Sequence, residues 1–202
     1  ASARVGETQE EFEKRLLQPS IGKFIPREKN PDPAREEEAL RQQPFNDFRS
    51  HFPDGVKERK YWKSAVPNVL SNENGWRVHV FFQNNHSVME AYCRVGDSLS
   101  DFEVQNILRA NQGTSTWIKT DPDSPEAHAS ALGCDYRLAD GTLQAHVVGN
   151  WLMVYSTQLD VYVKNQLRIQ EEAREPATGA PRGAEGQRPR QHGRILIRLR
   201  LI

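Results

Sequence analysis

The sequence predicts an α+β protein: an antiparallel sheet with packed helices, built from two degenerate helix–hairpin units. Three observations predict it. Two capping boxes, Thr8-Gln-Glu-Glu11 and Ser100-Asp-Phe-Glu103, stand 92 residues apart. In each, a hydroxyl can accept from the amide three residues on, whose own carboxylate reaches back. Each box opens a stretch with apolar residues four apart, the spacing of one helical face. Each stretch is followed by alternating apolar runs broken by turn dipeptides, the pattern of paired antiparallel strands.

The first helix places Phe12 and Leu16 on one face, and Pro19 closes it. In the second, Val104 and Leu108 take the corresponding places and Ile107 widens the stripe. Leu99 can staple onto Val104, and Gly113 lies where a left-handed residue ends a helix. The first hairpin runs from Trp76 to Phe82, turns at Asn84-Asn85 and returns from Val88 to Cys93. The second runs from Ala131 to Leu138, turns at Asp140-Gly141 and returns from Leu143 to Val148. Gly149-Asn150 breaks the pattern before a further strand, Trp151–Tyr155. Residues 157–174 read as a closing helix with Leu159, Val163 and Leu167 four apart, although Leu159, Val161 and Val163 also alternate as a strand start would.

The units are residues 1–97 and 98–172. The first carries an insertion at 26–60, with four prolines before Phe45. Asp32-Pro33 is an N-cap and first-turn pair for a short charged helix through Gln43. Phe45, Phe48 and Phe52 are expected to pin this loop onto the core; the alternative is an exposed aromatic lip. Residues 173–202 are foreign in composition. They hold seven arginines and two acids, and seven of the eighteen residues from Pro176 to Gly193 are Pro or Gly. They are read as a disordered basic tail, dispensable or a docking segment, with an apolar end at Arg194–Ile202.

Composition narrows the function classes. Lys+Arg and Asp+Glu both total 27, so no net charge points to nucleic acid or an anionic membrane. The tail carries +5 by this count, and residues 1–172 carry −5. Mean hydropathy is −0.75, and no apolar run approaches the ~20 residues of a transmembrane helix. Ala1-Ser2-Ala3 matches the small-residue pattern of a signal-peptidase site, which predicts an exported protein. Cys93 and Cys134 leave two alternatives open. One is a disulfide closing a loop of about forty residues, worth roughly 3–4 kcal/mol; the other is a pair of buried thiols.

The run Val5-Gly-Glu-Thr-Gln-Glu-Glu-Phe-Glu-Lys-Arg-Leu-Leu-Gln-Pro19, with Trp62 and Trp76-Arg-Val-His-Val-Phe-Phe-Gln-Asn-Asn85, resembles the small module of outer-membrane-assembly lipoproteins of the SmpA/OmlA kind. Tandem β-lactamase-inhibitor-like proteins share that architecture. The likeness spans roughly residues 5–165 and its motifs shape the fold rather than carry chemistry. Leu17-Gln18 replaces the usual Leu-Gly, no lipidated cysteine lies near the start, and Asn84-Asn85 replaces Asp-Gly. The full layout, with Leu99–Asn111 and Trp117, also resembles exported bacterial proteins of unassigned activity, and the resemblance implies an exported (periplasmic or secreted), non-enzymatic, protein-binding module.

No chemical motif competes strongly with that reading. His79, Cys93, Cys134 and His146 could compose a Cys₂His₂ set, but their spacing fits no standard zinc pattern, so no metal or other cofactor is expected. His79 alternates with Val78 and Val80, which predicts a solvated face for it. Neither a nucleophile elbow nor a phosphate-cradling glycine loop is present. Gln144-Ala-His-Val-Val-Gly149 resembles the Q-x-V-x-G hairpin of cystatins but is one residue too long, which would flip every later side chain. The alternative function is therefore a peptidase-inhibitor-like protein, or a hydrolase using His146 or Cys134. The expected binding surface is the sheet face carrying Trp76, Arg77, Trp117 and Trp151, because Trp and Arg anchor interfaces. The competing reading puts these tryptophans in the core.

Overall fold

The computed structural model describes residues 5–17, 24–26, 42–64 and 75–174. Pro19, the charged helix expected after Asp32 and the tail from residue 175 lie outside the described residues. An antiparallel sheet of eight strands runs through both units, in the order β1-β2-β3-β4-β8-β7-β6-β5. The strands are β1 (Ile25–Pro26), β2 (Lys57–Ser64), β3 (Gly75–Gln83), β4 (His86–Val95), β5 (Trp117–Lys119), β6 (Tyr136–Leu138), β7 (Leu143–Val148) and β8 (Trp151–Ser156). The last strand of each unit, β4 and β8, meet at the centre, with Ala91 opposite Met153. The two meanders run outwards from that pair.

Turn chemistry sets the register. Gln83 pairs with His86 across a two-residue loop in which Asn84 and Asn85 have φ of 50° and 66°. Asparagine tolerates this left-handed region because its short amide bonds locally. Val148 pairs with Trp151 across the two-residue loop Gly149-Asn150, in which Gly149 has φ of 58°.

Both capping boxes form. The helices α1 (Gln9–Leu16) and α2 (Asp101–Asn111) start at Thr8 and Ser100, whose hydroxyls accept from the Glu11 and Glu103 amides at 3.3 Å. The two glutamates accept in return from the cap amides at 2.9 and 3.0 Å. Both helices lie on one face of the sheet. Phe12 and Leu16 of α1 pack with Tyr61, Val78, Val80 and Phe82. Val104 and Leu108 of α2 pack with Leu138, Ala145, Leu152 and Val154, joined by Leu99.

The opposite face is covered by a 3₁₀ helix (Asn46–His51) and by the closing helix. Two further helices follow α2: α3 (Pro125–Ala129) and the closing helix α4 (Thr157–Arg174). Leu159 and Val163 of α4 are buried while Val161 is exposed, so the four-residue spacing prevails over the alternation. In β2 the inward positions of one face hold charged groups such as Glu58, which concealed a strand that begins inside the expected insertion and runs beyond it.

Candidate functional site

The site forms where the 3₁₀ helix crosses β2 and β3. Phe45 is fully buried, with its ring centroid 5.1 Å from Phe81, 5.5 Å from Trp151 and 5.5 Å from His79. Phe52 meets Phe81 edge-on at 5.3 Å. These aromatics hold the segment down by area burial and favourable ring geometry.

Pinning delivers Arg49 to Glu58. The guanidinium donates through Nη1 to Glu58 Oε2 at 2.8 Å and through Nη2 to Oε1 at 2.9 Å, a bidentate pair. Nη2 also donates to Gln43 Oε1 at 2.8 Å. The cation lies over the Phe45 and Phe81 rings at 5.1 and 5.4 Å. On the far side, His79 Nδ1 stands 2.5 Å from Glu58 Oε1. Burial pushes the Glu58 carboxyl up, but hydrogen bonds from His79 and Arg49 prevail and hold it down at about 2. Burial drives His79 the other way, below the ordinary imidazole range, against the pull of Glu58. The network at neutral pH is therefore a cation, an anion and a neutral imidazole that donates through Nδ1.

His79 thus corrects one expectation. It is 4% exposed rather than solvated, because the 3₁₀ helix and Trp151 cover the face it shares with Arg77 and Phe81. Beside the network lies a cleft of about 300 Å³ between Arg49, Ser50, Phe52, Asp54, Glu58 and Phe81. Arg49 Nε faces no acceptor among the described residues.

The four expected anchors do not share a face. Trp76 is half-buried beside α1's apolar cluster with Arg94 over its ring at 5.5 Å, and Trp117 packs by α2 with Nε1 donating to the Leu108 carbonyl at 2.6 Å. Arg77 and Trp151 point to the opposite face, Arg77 over Trp62 at 4.8 Å and Trp151 in the core at 7% exposure. Neighbouring residues on a strand point to opposite faces, so Trp76 and Arg77 cannot serve one flat surface.

Cys93 and Cys134 are both buried free thiols, not a disulfide. Burial pushes Cys93 up to about 11, and Asn150 donates to its sulfur at 3.3 Å. Burial also raises Cys134, which contacts Thr120 Oγ1 at 3.5 Å and donates to the Tyr136 carbonyl at 3.6 Å. His146 is bonded through Nδ1 to Asp135 Oδ2 at 2.8 Å, with the Gly133 backbone against its ring. The hydrogen bonds of His146 and Cys134 therefore go to different partners. Among the described residues, no three His, Cys, Asp or Glu side chains are grouped so as to hold a metal ion, and no helix is long and apolar enough to cross a membrane.

Arg49, Glu58 and Asp135 were absent from the sequence-based expectations. For Glu58 the signal available was a charged residue in phase with a covered strand face, but that phase could be read only after β2 was recognised. No protein-family model, curated protein or solved structure matches the chain.

Proposed function

We propose that this chain is a non-enzymatic module that binds a partner protein, with the cleft beside Arg49 receiving one side chain of that partner. The observation that carries the reading is the cleft itself. Its volume of about 300 Å³ is at the small end for ligand pockets, and Phe52 and Phe81 are among its lining residues. Its wall is an arginine held rigid by two rings and two acceptors. A preorganised wall lowers the ordering cost of association. An extracytoplasmic location, in the periplasm or beyond, belongs to the same proposal. It rests on the likeness of Val5–Pro19 and Trp76–Asn85 to outer-membrane-assembly lipoproteins.

The alternative, a hydrolase or inhibitor-like protein using His146 or Cys134, has the Asp135–His146 bond in its favour and the raised Cys134 thiol against it.

The test uses Ser50→Trp, which fills the mouth of the cleft from an exposed position. Wild type, immobilised, retains a partner from an envelope extract; Ser50→Trp unfolds at the same temperature and loses it. Equal retention by both chains, or retention by neither, overturns the proposal.

A further inference from the structure

Glu90 lies in the middle of β4, on the face covered by α1 and α2, and is fully buried. Its row across the sheet runs Val80, Glu90, Val154. Val80 belongs to the apolar cluster under α1 and Val154 to the cluster under α2. The carboxyl therefore stands on the boundary where the two units meet. Oε2 accepts from the Tyr92 hydroxyl. Oε1 is buried with no hydrogen-bond partner among the described residues.

Charged and polar groups face it from each packed element. From α1 and the residues before it come Arg15 and Glu7, ion-paired at 2.9 Å. Arg15 favours the anion and Glu7 opposes it. From the end of α2 comes Asn111, which faces the Tyr92 hydroxyl and whose Oδ1 accepts from the Val5 amide at 3.1 Å. Val80 and Val154 bring no charge from the neighbouring strands. One polar path thus runs from β4 to α2 and to the segment that leads into α1. A buried carboxyl with one bare oxygen is tolerated as the acid and costly as the anion.

We propose that the seam between α1 and α2 is a proton-operated joint: with Glu90 protonated both helices seat on a neutral boundary, and loss of the proton puts an anion there that loosens α1 and Val5–Glu7 from the sheet. Burial pushes the carboxyl up to about 7, so the joint works around neutral pH. It lies on the opposite face from the cleft, so its failure would leave the binding proposal standing.

The test is a carboxyl titration of the full chain by carbon-13 NMR, with amide hydrogen exchange of Gln9–Leu16 corrected for intrinsic rates. One glutamate carboxyl is expected to titrate near neutral pH and to vanish from the spectrum in Glu90→Gln. Opening of α1 should rise about tenfold from pH 6 to pH 8 in wild type, and stay constant in Glu90→Gln. Tyr92→Phe, which keeps the carboxyl and removes the hydroxyl that favours the anion, should move the midpoint higher. An ordinary glutamate midpoint in wild type, α1 protection that does not change with pH, or a lower midpoint in Tyr92→Phe overturns the proposal.

Discussion

Glu58→Gln tests the network beside the cleft most directly. The carboxylate accepts two bonds from Arg49 and faces His79, and these partners hold it down at about 2 against an ordinary value of 4.5. That difference corresponds to roughly 3 kcal/mol of stability at pH 7. Loss of one partner from a buried pair costs about 3–5 kcal/mol; the low end applies because the Arg49 side chain is 27% exposed. The sign follows from a folded value below the unfolded one. The stabilisation is complete above about pH 4.5 and is lost as the pH falls towards 2. Urea unfolding of wild type and Glu58→Gln should differ by roughly 3 kcal/mol at pH 7, narrowing to about half of that at pH 3. A gap of equal size at both pH values would mean that the charge is not its source, and the account of Arg49 as a wall fixed by Glu58 would fail.

Gly133 has φ of 85°, and a Cβ there would stand 2.6 Å from the His146 ring. Gly133→Ala should cost on the order of 2–3 kcal/mol, from left-handed strain plus displacement of His146 from Asp135. In a His146→Ala background, calorimetry should show the cost falling by about half; an equal cost in both backgrounds would deny the contact. With burial raising its thiol to about 11, Cys93 should react with an aromatic disulfide at pH 8 roughly 100-fold more slowly than a free thiol. Cys134, raised for the same reason, should also lag, and both should react at once in urea. A fast Cys134 in the folded chain would favour the hydrolase reading.

Local rules were legible where a single residue type answers a backbone need. Thr8 and Ser100 cap because helix-start amides lack partners, Asn84-Asn85 turns because its residues bear positive φ, and Leu159 and Val163 share a helical face. None of these depends on which elements later cover the sheet. Side-chain environment does depend on that, and there the reading failed. His79 alternates with two valines as a solvated residue would, yet the loop carrying Phe45 folds over it. Trp76 and Arg77 look like one anchor, but a sheet covered on both faces sends them into different surroundings. β2 was hidden because its covered face spends positions on a salt bridge, which periodicity counts as polar and therefore outward.

The same logic explains why the half-buried Glu58 and the fully buried Glu90 escaped notice and why they differ. Glu90 sits in phase with Val88 and Tyr92 on β4 and Glu58 lies opposite Phe81 across β2 and β3, and hydropathy alone would place both outside. Glu58 is met by a guanidinium and an imidazole, and these partners select the anion against the pull of burial. Glu90 is met by a phenol, valines and an ion pair whose charges oppose each other, so its burial selects the acid. A sequence states that a carboxyl is present, but partners brought from other strands and helices decide its charge. In this chain that decision falls at two places that matter for the reading: the wall of the cleft, where a permanent ion pair gives rigidity, and the seam between units, where a labile proton gives a joint.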